Sequence, residues 1–121
     1  MSESLEPFVG YVDGASRSTH NLSSATWAIF TLNGELVSFQ GFCIGRSTKN
    51  IPKYSALIKL LSDAISFGIN LIIISLDSQL VVLQLTSIYS VINPTLLRLF
   101  LRVRILERHL ISFNINTFPE I

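Results

Sequence analysis

The pattern of hydrophobic and polar positions predicts antiparallel strands in the first part of the chain. Two β-prone runs, residues 25–32 and 35–42, flank the dipeptide Asn33-Gly34. This dipeptide is the strongest short-range signal for a β-hairpin, because both of its residues accept the positive φ of a two-residue type I′ turn. Together with the run that begins at Phe8, the pattern predicts three antiparallel strands before the first helix.

Two later segments have apolar residues at helical spacing. The first starts near Asn50, which suits a helix N-terminus, and ends near Gly68, which suits a left-handed C-cap. The second covers residues 95–110 and follows Asn93 and Pro94, a residue pair typical of a cap and a first helical turn. We therefore expect two long helices.

Residues 71–80 have the pattern of a buried strand followed by a helix. Five of the first six residues are bulky aliphatics without alternation, which is typical of a strand covered on both faces in a parallel sheet. Asp77 then stands at the carboxyl end of this strand, where the sites of open α/β sheets gather. The alternative interpretation of Asp77 is a helix N-cap. Residues 111–118 alternate enough to form a closing strand.

A second acidic residue has the same position relative to a strand. The run from Phe8 to Val12 is β-prone and leads to Asp13, and Gly14 permits a sharp turn. If the two strands are parallel neighbours, Asp13 and Asp77 lie side by side, and carboxylates so placed suit Mg²⁺ or Mn²⁺.

In combination, three segments resemble the ribonuclease H family, and most closely the reverse-transcriptase-associated type of plant retroelements. These segments are YVDGAS at residues 11–16, residues 48–57, and LDSQLVVLQL at residues 76–85. The length of 121 residues suits a single domain, residues 1–121, and the polar residues 1–6 are expected to be loose. The resemblance implies an α/β, ribonuclease H-like fold. Its mixed five-stranded sheet has three antiparallel strands and then parallel strands, and helices flank it. The implied activity is metal-dependent hydrolysis of the RNA strand of an RNA/DNA hybrid.

The family's four metal-binding carboxylates are only partly matched. Asp13 matches the first and Asp77 the third, whereas Lys53 occupies the position of the second, a glutamate. The fourth carboxylate and the family's terminal helix follow the closing strand, in a segment that Ile121 cuts off. An ammonium at a metal site removes a ligand and adds a repelling charge, so we expect weak binding of Mg²⁺ or Mn²⁺ and weak or absent catalysis. Lys53 is expected to pair with the two aspartates in place of the cation.

The resemblance also indicates candidate contacts with the hybrid. Gln79 matches a residue that contacts the minor groove, and Ser16, Asn50 and Ser78 are the other candidates. Lys49 replaces the first asparagine of a pair in which Asn50 is retained. The last predicted helix adds four arginines, for which a solvated face and a phosphate-binding strip are both open interpretations: Arg98, Arg102, Arg104 and Arg108.

The composition indicates the class of protein and its cellular location. With 49% hydrophobic and 14% charged residues the chain is not disordered, and a net charge of +1 gives no global basic field, so nucleic acid would bind through local patches. No apolar stretch is long enough to span a bilayer. We expect an intracellular protein whose single cysteine, Cys43, is a buried hydrophobe in an alternating run.

Three functions are compatible with the sequence. The first is a retroelement-derived hybrid ribonuclease that is weak or inactive. The second is a non-catalytic binding module that uses Asn50, Gln79 and the arginine-bearing helix, and the third is a protein-interaction or vestigial domain. Loss of the terminal helix should uncover apolar residues and leave the domain marginal or prone to associate.

Overall fold

The computed structural model describes residues 6–17, 22–45 and 50–117. Three strands come first, then a helix, a strand, two helices and a final strand, which confirms the predicted order. The elements are β1 (Phe8–Arg17), β2 (Leu22–Phe30), β3 (Leu36–Gly45), α1 (Asn50–Ser66), β4 (Leu71–Leu76), α2 (Gln79–Leu85), α3 (Pro94–Glu107) and β5 (Ser112–Thr117).

The strands form a five-stranded sheet in the order β3-β2-β1-β4-β5. The pairs β1–β2 and β2–β3 are antiparallel, and the pairs β1–β4 and β4–β5 are parallel. This is the mixed α/β sheet that the sequence predicts. Within the described part of the chain, no helix is both long and apolar enough to cross a membrane.

The core lies where α1 packs on the central strands. Val12 of β1, Ile29 of β2 and Ile74 of β4 are fully buried. Gly10 allows α1 to approach closely, since a Cβ at this position would lie 3.0 Å from Cδ1 of Leu60. Along β4, fully buried residues alternate with half-buried ones, so the run of aliphatics is covered completely on one face and only partly on the other.

The other face of the sheet exposes aromatic side chains. Tyr11 is 40% exposed and Phe39 is 66% exposed, and both lie in register with Ala28 of β2. The ring of Tyr11 meets that of Phe30 edge to face, with 5.7 Å between centroids. The expected uncovered apolar residues are therefore present, while the association that they should promote stays a prediction.

The predicted hairpin is confirmed, but the predicted type I′ turn is wrong. Thr31 donates its N–H to the carbonyl of Glu35 at 2.8 Å, and Gly34 donates to the carbonyl of Thr31 at 3.0 Å. Of the three residues between Thr31 and Glu35, Gly34 has a positive φ of 91° and Asn33 does not. The connection is therefore a three-residue loop with glycine at the left-handed position, which the Thr31 hydroxyl supports by accepting from the Glu35 N–H at 3.0 Å.

Two other expectations are corrected by strand geometry. The chain does not turn at Gly14. Strand β1 continues to Arg17, and Gly14 and the residues after it keep antiparallel partners in β2, such as Ala25 for Gly14. Cys43 is exposed rather than buried. Its neighbour Phe42 packs on the core side, with its ring 5.5 Å from that of Trp27, and alternation along the strand turns the next residue away from the core.

Two predicted helix ends, at Gly68 and Asn93, match their sequence signals. Gly68 has φ of 75°, and its N–H and that of Ile69 bond to the carbonyls of Ile65 and Ala64, which is a Schellman C-cap. The side chain of Asn93 accepts from the first-turn N–H groups of α3, as predicted. Helix α3 ends at Glu107, a few residues earlier than the apolar pattern indicated.

Candidate functional site

The two aspartates lie at one end of the parallel pair β1–β4. The last pair in this register is Val12 with Leu76, and Asp13 and Asp77 are the next residue on each strand. The two acids therefore lie at the same end of the parallel pair, as predicted, although only Asp77 follows its strand. Asp77 lies just past the end of β4, whereas Asp13 is inside β1, because β2 continues to pair with β1 there. That the two carboxylates face one another stays a prediction.

Lys53, in the first turns of α1, points its ammonium at Asp77. The distance from Nζ to Oδ2 of Asp77 is 3.6 Å, and the side chains are 11% and 21% exposed. The predicted pairing of Lys53 with Asp77 is therefore confirmed, and its pairing with Asp13 stays a prediction. An ammonium in this position supplies one positive charge to the carboxylate that matches the family's third metal ligand.

The N-termini of α1 and α2 meet through two small polar side chains. The Ser78 hydroxyl donates to Oδ1 of Asn50 at 3.4 Å and accepts the N–H of Val81 at 3.2 Å. Ser78 is thus the N-cap of α2, and the N-cap interpretation of Asp77 is wrong. Gln79, the first residue of α2, is exposed. Three of the predicted hybrid contacts, Asn50, Ser78 and Gln79, consequently lie beside Asp77.

Other predicted positions are not tested by this arrangement. Ser16 belongs to β1, but its side chain lies outside the described residues. Lys49, at the altered asparagine pair, also lies outside them. Of the candidate arginines, Arg98 and Arg102 are exposed on α3.

Arg104 has a structural role that the sequence did not specify. Its guanidinium donates to the carbonyl of Leu85 at 2.7 Å and to Oε1 of Glu107 at 3.0 Å. It also lies 4.8 Å from the centre of the Phe100 ring. Arg104 therefore joins α3 to the end of α2, and it is removed from any phosphate-binding strip.

A buried hydrogen bond also holds α2 in place. The Tyr54 hydroxyl donates to Oε1 of Gln84 at 2.6 Å, and the two residues are 0% and 5% exposed. Burial raises the pKa of Tyr54 to about 12, and the nearby positive charge of Arg104 opposes this rise only in part. Nothing in the local sequence pattern links two polar groups 30 positions apart, so the sequence does not predict this hydrogen bond. It fixes α2, which carries Ser78 and Gln79 at its N-terminus.

The described residues offer few ligands for a metal ion. No group of three or more histidine, cysteine, aspartate or glutamate side chains converges within residues 6–17, 22–45 and 50–117. Asp13 and Asp77 supply two carboxylates, and the second of these is paired with Lys53. The donor set that the structure describes therefore does not fit a two-metal centre.

Comparison with known proteins identifies the family. The sequence pattern described as "Reverse transcriptase-like" matches residues 11–118. This chain belongs to that family and is a ribonuclease H-like domain. It is 37% identical over 110 residues to ribonuclease HI of Halobacterium salinarum, an alignment that covers 91% of the chain and 55% of the relative. The chain thus spans about half the length of this relative.

Solved structures of ribonuclease H-like domains have the same fold. RNase H1 from H. salinarum superposes with a TM-score of 0.87 at 35% identity, covering 94% of this chain and 86% of that structure. The N-terminal RNase H domain of Rv2228c from Mycobacterium tuberculosis gives 0.89 at 28%, covering 95% and 84%. LC11-RNase H1, solved in complex with an RNA/DNA hybrid, gives 0.86 at 24%, covering 93% and 86%, a likeness that shows the fold alone.

Proposed function

We propose that this ribonuclease H-like domain binds RNA/DNA hybrids and that its hydrolysis of the RNA strand is weak or absent. The observation that carries the proposal is the meeting of Asn50, Ser78 and Asp77 at the end of the β1–β4 pair. Gln79, exposed beside them, adds a side chain that can both donate and accept hydrogen bonds in a minor groove.

Weak or absent hydrolysis follows from the charges at this site. Hydrolysis with two metal ions needs one ion to activate water and another to stabilise the leaving oxygen, and carboxylates must hold both. In the described residues Asp13 and Asp77 could hold Mg²⁺ or Mn²⁺, and Lys53 competes for Asp77 at 3.6 Å. We therefore propose weak metal binding and derive no reaction step from a bound metal.

The second candidate function is a binding module with no catalysis at all. The Lys53–Asp77 ion pair favours it, because this pair neutralises a carboxylate that would otherwise repel phosphate. The exposed Arg98 and Arg102 on α3 could add phosphate contacts.

We also propose a retroelement origin and an intracellular location. The description of the matched family supports the origin.

A binding assay with matched variants tests the proposal. A fluorescent RNA/DNA hybrid is titrated with the protein and compared with double-stranded DNA of the same sequence. Gln79→Ala should weaken hybrid binding about two- to thirteenfold, since one hydrogen bond contributes about 0.5–1.5 kcal/mol. Gln40→Ala, at an exposed position on the edge strand β3, is the matched control and should leave binding unchanged.

A cleavage assay decides between the two candidates. The same labelled hybrid is incubated with Mg²⁺ or Mn²⁺, and the products are separated by length. Slow cleavage that Asp77→Asn abolishes supports a weak nuclease, while binding without cleavage supports the module. Absence of any preference for the hybrid over duplex DNA would contradict both candidates.

A further inference from the structure

We infer that Lys53 is a built-in counter-cation that closes the Asp77 site to divalent metal ions, so that hybrid binding at this site is independent of metal. The inference about the hybrid rests on the function proposed above, whereas the inference about metal exclusion does not. The inference about metal exclusion starts from two observations. The described ligands do not fit a two-metal centre, and Lys53 Nζ lies 3.6 Å from Asp77 Oδ2.

The position of Lys53 is set by its neighbours in α1. Pro52 and Tyr54, on either side, are both fully buried, so the backbone of Lys53 is fixed against the core. Lys53 itself is only 9% exposed. With this backbone fixed, the ammonium can leave Asp77 only by rotation of the largely buried Lys53 side chain. The ion pair therefore joins two largely buried side chains rather than two exposed surface groups.

A divalent ion would meet two obstacles at Asp77. It must displace the ammonium from Oδ2, and it must then tolerate a positive charge a few ångströms away. The described residues supply no third carboxylate, histidine or cysteine close enough to compensate. A monovalent ammonium cannot activate water as a metal does, but it does neutralise Asp77. Phosphate groups of a bound hybrid thus meet a site whose negative charge is already reduced.

Two substitutions with the same change of charge on the same helix separate this effect from general electrostatics. Lys53→Glu converts the counter-cation into a ligand, whereas Lys59→Glu makes the same change at an exposed position of α1. Mn²⁺ alone is the probe, and its binding to wild type and to each variant is measured by calorimetry and by loss of the free-ion paramagnetic resonance signal. Circular dichroism confirms folding.

We expect Lys53→Glu to bind Mn²⁺ at least about tenfold more tightly than wild type, and Lys59→Glu to behave as wild type. Adding Asp77→Asn to Lys53→Glu should abolish the gain. If Lys53→Glu does not fold, Lys53→Gln carries the test, since it removes the positive charge at similar length and should give a smaller gain. Saturable Mn²⁺ binding by wild type at the level of Lys53→Glu, or an equal gain in Lys59→Glu, would overturn the inference, as would no gain in either Lys53 variant.

Hybrid binding provides the second measurement. The affinity of wild type for the labelled hybrid should be the same in EDTA and in Mg²⁺ at constant ionic strength, within about twofold. Affinity that appears only with Mg²⁺ would refute metal independence. If wild type binds no hybrid under either condition, the proposed function fails, while the Mn²⁺ measurement still decides whether Lys53 excludes metal.

Discussion

Removing the Tyr54 hydroxyl should destabilise the domain through the partner that it leaves behind. Tyr54 is fully buried and donates to Oε1 of Gln84 at 2.6 Å, and Gln84 is itself only 5% exposed. Tyr54→Phe keeps the ring and its packing but leaves a buried amide oxygen without its donor. Such a group costs about 1–3 kcal/mol, more than the net contribution of an average hydrogen bond.

Urea denaturation followed by tryptophan fluorescence measures this cost. For an m-value of about 1.5 kcal/mol/M, the midpoint should fall by about 0.7–2 M urea with no change of slope. Tyr89→Phe is the matched control, because Tyr89 is 52% exposed and its substitution should change the free energy of unfolding by less than about 0.5 kcal/mol.

A double substitution identifies the mechanism. Tyr54→Phe with Gln84→Met replaces both polar partners by apolar groups of similar size, so part of the lost stability should return. If Tyr54→Phe alone falls within about 0.5 kcal/mol of wild type, the buried hydrogen bond does not stabilise α2 as we argue.

Four further predictions concern the ionisation of Tyr54, the backbone at Ser87, the exposed face of the sheet and the site around Lys53. Burial raises the pKa of Tyr54 from the ordinary value of 10 to about 12, so the stability linked to its neutral form is complete below pH 10 and is lost as pH rises towards 12. Urea midpoints measured across this pH range should show that loss in wild type and not in Tyr54→Phe. Ser87 has a left-handed φ of 66°, so Ser87→Gly should raise the free energy of unfolding by about 1 kcal/mol in the same assay. Phe39→Lys, on the exposed sheet face, should reduce concentration-dependent association in sedimentation. Lys53→Glu should restore little hybrid cleavage even where it restores Mn²⁺ binding; full activity would show that two aspartates and one glutamate suffice.

The fold was predictable because its local signals agree with one another. The run of aliphatics before Asp77 and the shorter run before Asp13 identify two strands that the structure pairs in parallel. Gly68 and Asn93 define helix ends by backbone chemistry that is local and therefore readable from the sequence.

The errors arose where the outcome depends on a neighbouring strand. Gly14 permits a turn, but β2 offers antiparallel partners there and the strand continues. The side chains of Phe42 and Cys43 lie on opposite faces of the sheet, and the packing of Phe42 on Trp27 decides which of the two faces the core. Periodicity alone gives the alternation and not its phase.

The ion pair of the site could be predicted from the sequence, whereas the hydrogen bonds that hold α2 beside it could not. Lys53 and Asp77 could be paired from their positions in the family pattern, and the ion pair is present. The bonds that hold α2, from Tyr54 to Gln84 and from Arg104 to the Leu85 carbonyl, join residues 30 and 19 positions apart. No periodic pattern marks such contacts, because each needs the tertiary fold to bring its two groups together.

The Lys53–Asp77 pair also affects how the site can persist without metal. Carboxylates clustered for metal binding repel one another when no ion is bound, and that repulsion opposes folding. An ammonium at 3.6 Å from Oδ2 of Asp77 offsets the charge of that carboxylate when no metal ion is bound. Under the proposed function, the lysine that we expect to weaken metal binding therefore also offsets the charge of Asp77 when no metal is bound. Because the Asn50–Ser78 contact does not involve Lys53, we expect the proposed hybrid-binding surface to be independent of metal binding at Asp77.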